Sequence, residues 1–271
     1  MALYMLYFAI FSILGWVVEV IFSALKRGRF VNRGFNSGPV CPIYGFCVAL
    51  LRLILHPIAH TWLLLYLASV LLATAVELVT GFVMDKLFDA KWWDYSENKY
   101  NLGGYVCLRF SLIWGAFCTL IAKVFFPLVD GLYAITPASL LYTVLAVFFV
   151  ILLLDFITSI TVARGFDKHL KLLSELSDIL KISSDRIGHG VYTGTRKVES
   201  LYRRVLEKTP LLYRRIVDAF PTMRSKYNEQ LTLLRERMHR KKSKKTDDPL
   251  SLPAPVTKPF SSEETPPSEP S

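Results

Sequence analysis

"ASLLYTVLAVFFVILLLDFITSI", residues 138–160, is an apolar run interrupted by a single acidic residue, Asp155. A helix needs about 20 apolar residues to cross about 30 Å of hydrocarbon, and this run supplies them without a break. Hydrophobic residues make up 52% of the chain and the mean hydropathy is positive, +0.37, so the run is not isolated. Residues 3–24, 61–84 and 108–128 are comparably long and apolar. Residues 43–58 (IYGFCVALLRLILHPI) are shorter, hold Arg52 and end at Pro57–Ile58. They are expected to form a fifth span, with a re-entrant segment as the alternative. The expected fold class is all-α: a polytopic membrane helix bundle over residues 1–163, a basic cytoplasmic helical region over 164–245, and a disordered Pro/Ser/Glu-rich tail over 246–271.

The charges orient this bundle. Lys26, Arg27, Arg29 and Arg33 lie in the first loop, and Lys86, Lys91, Lys99 and Arg109 in or beside the third. The second loop carries no Lys or Arg, the fourth carries Asp130, and most of the net charge of +10 lies beyond residue 163. Lys and Arg accumulate on the cytoplasmic side, so the N-terminus is expected outside and loops one and three and the C-terminus inside. No basic segment precedes the first span and no A-x-A site follows it, as expected of an anchor and not of a cleaved leader.

Three carboxylates stand inside these spans. Glu19, Glu77 and Asp155 each lie five to seven residues before the inner end of a span, roughly 8–10 Å deep at 1.5 Å per residue. A charge at that depth is costly and marks function by default. Arg52 and Arg109 are the available cationic partners. One reading is a buried ion-pair cluster that fixes helix register. The other is a polar cavity open to the cytoplasm that holds an ion, a proton or a polar ligand.

The inner loops have matching peculiarities. "NSGPVCPIYGF" (36–46) is uncharged and has two prolines. Gly38–Pro39 and Cys41–Pro42 break any helix there. Irregular backbone survives at membrane depth only where protein or a watery cavity surrounds it. This loop is therefore expected to dip back against the bundle. In "KWWDYSENKYNLGGYVCL" (91–108) aromatic rings alternate with Asp94, Ser96, Asn98 and Asn101, and Gly103–Gly104 permits a tight turn.

Five motifs in order, "GPVCPIYG" (38–45), "ELVTG" (77–81), "WDYS" (93–96), "NLGGYVCL" (101–108) and "SLIWG" (111–115), resemble the CmpB-like ABC-transporter type IV family over about residues 5–160. The resemblance implies a multi-pass protein of the bacterial inner (cytoplasmic) membrane with a transport role. Matching positions are Gly38, Pro39, Cys41, Pro42, Tyr44, Gly45, Glu77, Thr80, Gly81, Trp93, Asp94, Tyr95, Ser96, Asn101, Gly104, Trp114 and Gly115.

The chain has no GxxxxGK[ST] phosphate loop, so a nucleotide-driven role requires a separate ATPase subunit. No catalytic residue is assigned and no cofactor is expected. The four cysteines have no metal-ligand spacing. There is no HExxH, and His56 and His60, separated by Pro57, read as interfacial residues. An intramembrane lipid- or peptide-modifying enzyme is therefore the least supported class. A permease-like component with a cytoplasm-facing polar cavity leads. A non-transporting scaffold or regulator, working through the basic region, is the alternative.

In that region Phe166, Leu170, Leu173, Leu176 and Leu180 are spaced for an amphipathic helix. "ESLYRRVLEKTP" (199–210) and "PLLYRRIVDAFP" (210–221) form a short duplication, and a third helix is expected over about 222–242. Tyr and Arg side by side suggest a helix lying on the anionic inner leaflet, or else a solvated basic face. Membrane lipids are the expected partners, with an ATPase subunit or other membrane proteins. No motif accompanies the charge to suggest nucleic acid.

Overall fold

The computed structural model describes residues 1–185, 192–207 and 209–246. The Pro-rich tail expected to be disordered lies, beyond Thr246, outside the described residues. Nearly everything described is helix: α1 (Ala2–Arg27), α2 (Pro42–Leu55), α3 (Trp62–Phe88), α4 (Leu108–Leu120), α5 (Phe126–Ile135), α6 (Ala138–Asp185), α7 (Tyr192–Glu207), α8 (Leu211–Ala219) and α9 (Asn228–Thr246). Four two-residue strands, β1 (Ala90–Lys91), β2 (Asn101–Leu102), β3 (Val106–Cys107) and β4 (Arg224–Ser225), pair antiparallel as β1–β4 and β2–β3.

Four helices among the described residues are long and apolar enough to cross a membrane: Ala2–Arg27, Trp62–Phe88, Leu108–Ile135 and Ala138–Ile179. The third of these joins α4 to α5 through a π-turn, Ile121–Phe125. Pro127, early in α5, has no N–H for the ladder and so accounts for the widened turn. The expected fifth span is the shorter apolar helix Pro42–Ile58. It starts deep: the Cys41 amide donates to the Ser12 carbonyl at 2.8 Å. Ser12 is 15 residues before Arg27, about 22 Å along α1. The first loop thus returns into the bundle before α2 begins, and the segment left to complete the crossing is short.

Close backbone approach makes this possible. A side chain at Gly45 would run into the Phe8 carbonyl and Ser12, and one at Gly115 into the backbone of Val70. Small residues at such crossings replace the hydrophobic drive that lipid removes. Around the crossings Tyr7, Phe11, Val48, Leu51, Leu65, Ala73, Cys118 and Phe126 form the membrane core.

A second core lies at the loop end of the bundle. It joins Phe88, Ala90 and Trp92 to Ala163, Phe166, Leu170 and Leu173 of α6, Ile216 and Val217 of α8, Met223, and Leu231 and Leu234 of α9. Of the expected stripe, Phe166, Leu170, Leu173 and Leu176 are buried, and the side chain of Leu180 lies outside the described residues. The stripe lies on the same uninterrupted helix as the last span, α6, which is 48 residues long. The duplicated copies fall in α7 and α8, separated at Pro210. The second copy packs one face on the rest of the chain, while Leu211 and Leu212 stay exposed. Tyr213 packs on the Phe166 ring at 5.6 Å, and Arg215 points into the first loop.

Candidate functional site

The three carboxylates are each held by the first or the third loop, and each differently. Glu19 Oε1 accepts from the Tyr44 hydroxyl at 2.6 Å, and its Oε2 pairs with Arg33 Nη1 at 3.0 Å. Tyr44 is fixed by Gly15, where a Cβ would strike its ring, and by an edge contact with Trp114 at 5.9 Å. Asp155 accepts the backbone amides of Ser37 and Gly38, both at 3.0 Å. A carboxylate taking two N–H groups satisfies exactly the donors that a Gly–Pro turn leaves without helical partners. The expectation that "GPVCPIYG" folds back against the bundle holds, and Asp155, Ser12 and Tyr44–Glu19 anchor it.

Glu77 is the exception. Its Oε1 accepts from the Tyr95 hydroxyl at 3.1 Å, while Oε2 is buried and makes no hydrogen bond among the described residues. A buried carboxyl with one oxygen unmatched is rare and calls for an explanation. Thr80 is half-buried one turn further along α3. Gly81 lets the third loop close over this end of α3, with Trp93 and Tyr105 each 3.2 Å from where a Cβ would stand.

The arginines proposed for these carboxylates go elsewhere. Arg52 Nη2 pairs with Asp130 at 3.0 Å, and Tyr7 donates to the same carboxylate at 2.9 Å. Tyr7 is near the start of α1 and Asp130 near the end of α5, so this triad closes the opposite end of the bundle. The reason is the deep start of α2: ten residues beyond Pro42, position 52 has already travelled to the far side. Arg109 is exposed at the start of α4 and forms no ion pair with Glu77 among the described residues.

The polar residues of the third loop organise the loop itself. Asp94 Oδ1 accepts from both the amide (2.9 Å) and hydroxyl (2.5 Å) of Ser96, and its Oδ2 pairs with Arg224 at 2.8 Å. Burial works against ionising Asp94, but the Ser96 donors and Arg224 outweigh it and hold the carboxyl below its usual range. Asn101 bridges Ser96 and Asn98 carbonyls to the Gly104 amide. Gly104 needs its freedom: φ is +77°, and a Cβ would collide with Asp94 and Ser96. Trp93 Nε1 donates to the Tyr105 carbonyl at 2.8 Å. Tyr95, so placed, lies in a ring stack with Phe110 at 4.8 Å. Burial, then the Glu77 carboxylate and to a lesser degree Glu19, push its hydroxyl up, so it remains a proton donor.

Two groups at this end were not singled out from the sequence. Asn36 is fully buried and neither polar atom of its amide has a partner among the described residues. Arg215 donates to the carbonyls of Phe35 (3.0 Å) and Asn36 (2.8 Å). Asn36 sits inside the quoted loop and could have been noticed as a polar residue in an apolar run. Arg215 had no such signal.

A family model described as "Putative ABC-transporter type IV" matches residues 6–160. The chain belongs to this family. Its membrane helices and this membership make it a transport-related, multi-pass membrane protein. No curated protein and no solved structure matches the chain. The match ends at residue 160, so Arg215, Arg224 and the α6, α8 and α9 side of the second core lie outside the shared region.

Proposed function

We propose that the protein is a permease-like component of the bacterial inner membrane whose working group is Glu77, presented with Tyr95 to a proton or small cation entering from the cytoplasmic side. The observation that carries this reading is the Oε2 atom of Glu77, buried without a partner while its sister oxygen is held by a phenol. An ionisable side chain at that depth is expensive unless something binds it. A carboxyl with one oxygen oriented and the other open is suited to taking up a proton or a cation. Tyr95 is suited to orienting it, because its hydroxyl stays protonated. Glu19 and Asp155, fully occupied by Arg33, Tyr44 and backbone amides, serve as structural anchors around the site. Since the chain has no phosphate loop, an energised cycle requires a separate ATPase subunit. Against the scaffold reading, Arg215 and Arg224 of the basic region are committed to partners within the chain.

Proteoliposomes test this. With an entrapped pH dye and an imposed gradient, or with Na⁺ or K⁺ indicators, the unaltered protein dissipates at least one of the gradients. Glu77→Gln reduces that flux tenfold or more without lowering thermal stability. Flux from Glu77→Gln equal to that of the unaltered protein refutes the assignment.

A further inference from the structure

Each of the three membrane carboxylates is connected, through one element of a loop, to the same short stretch of the cytoplasmic extension. Arg33, which pairs with Glu19, also donates through Nε to the carbonyl of Ala219 at 3.4 Å. Ser37 and Gly38, whose amides hold Asp155, directly follow Phe35 and Asn36, whose carbonyls take both ends of the Arg215 guanidinium. Tyr95, which holds Glu77, directly follows Asp94, whose side chain is only 4% exposed and is paired with Arg224. Arg224 also approaches Glu97 at 3.7 Å, and β1–β4 pairing sets Lys91 opposite Arg224. The Lys226 amide donates to the Asp89 carbonyl at 3.1 Å and continues that seam.

All of these contacts come from α8, β4 and their connection, residues 211–225, with Lys226 just beyond. Arginine suits the task because its planar fork bonds two acceptors at once in fixed geometry. Arg215 uses it on two successive carbonyls, and this fixes the direction in which the next two amides point. Arg224 fixes Asp94, which has already committed its other oxygen to Ser96, so Tyr95 has little freedom to swing away from Glu77.

We propose that residues 211–225 are a positioning element for the membrane carboxylates, with Arg215 governing access to Asp155 and Arg224 governing access to Glu77. Release of this stretch loosens both inner loops together, so the extension is the part of the chain through which a cytoplasmic signal reaches the membrane site. The inference rests on Glu77 being the working group, as read above, but its test does not depend on transport.

The experiment uses the full chain in nanodiscs, treated with the apolar reagent dicyclohexylcarbodiimide, with adducts at each carboxyl quantified by peptide mass spectrometry. Arg224→Gln is expected to raise modification of Glu77 at least fivefold and leave Glu19 and Asp155 within twofold. Arg215→Gln is expected to do the same for Asp155 alone, and the Arg→Lys variants to fall between. Arg224 is half exposed, so its variant folds even if the Arg215 variant does not, and it decides the matter alone. Unchanged Glu77 modification in Arg224→Gln, or a parallel rise at all three carboxyls, overturns the proposal. A site-selective response with normal flux from Glu77→Gln would keep the positioning element and remove the functional reading.

Discussion

Asp130→Asn tests the placement of α2 most directly. The substitution keeps the shape and removes the charge that Arg52 faces at 3.0 Å, where the arginine side chain is 13% exposed and the aspartate 37%. Cutting a buried pair on one side costs about 3–5 kcal/mol, because the other charge is stranded. Water reaches Asp130, and exposed pairs contribute about 0–1 kcal/mol, so the expected loss lies between, at about 2 kcal/mol. The Arg52 guanidinium keeps partial compensation from the rings of Tyr7 and Phe126 at 5.9 and 5.6 Å. For a chain of this size a loss of 1 kcal/mol moves the melting temperature by about 2–4 °C, so a fall of about 4–8 °C is expected. The assay is a melt in detergent of the single variants and of Asp130→Asn combined with Arg52→Met, which should recover at least half of the loss. The same Arg52→Met change should show no coupling to Glu77→Gln. If it rescues a destabilised Glu77→Gln protein and not Asp130→Asn, Arg52 belongs to the inner carboxylates and the deep start of α2 is wrong.

Further expectations follow from the loop anchors. Asp155→Ala removes the acceptor of two amides, so Cys41, buried in the intact protein, should react with maleimide at least tenfold faster; an unchanged rate would mean that Asp155 does not hold the loop. Gly115→Leu places a side chain into the Val70 backbone and should abolish assembly of α3 on α4, seen as loss of folded protein on gel filtration. The Asp94 carboxyl titrates lower in the folded state than in the unfolded chain, so its contribution is present above the unfolded value, about 3.9, and is lost as pH falls through the folded one. Hydrogen exchange of the 94–104 amides should therefore be flat from pH 7 to about 5, after correction for intrinsic rates, and rise only below about 4; a rise beginning near pH 6 would contradict the pairing. In a variant lacking its cysteines, single cysteines at positions 30 and 130 should label from opposite sides of the membrane.

Much of the architecture was legible in the residues because one large term dominates it. An apolar run of helix length has to meet lipid, and residues 138–160 or 61–84 could be assigned without any knowledge of their neighbours. The helix-breaking chemistry of Gly38–Pro39 and Cys41–Pro42 likewise announced an irregular loop folded back on the bundle, since the missing N–H groups and restricted φ are local properties. The amphipathic stripe from Phe166 to Leu176 showed in its spacing for the same reason.

What the sequence could not show depends on distances between segments far apart in the chain. Arg52 was matched to the inner carboxylates because counting residues assumes that a span begins at the membrane surface. Only the packed structure reveals that α2 begins beside Ser12, and this alone sends Arg52 to Asp130. Only the structure shows that the last span and the stripe run on as one helix, α6, in which Gly165 leaves room for the Tyr213 hydroxyl. The arginines of the extension looked like a basic surface because charge counts carry no direction. Whether a guanidinium faces water, lipid or a carbonyl some 180 positions away is decided by which surfaces close on one another, and tertiary packing alone made that choice for Arg215 and Arg224.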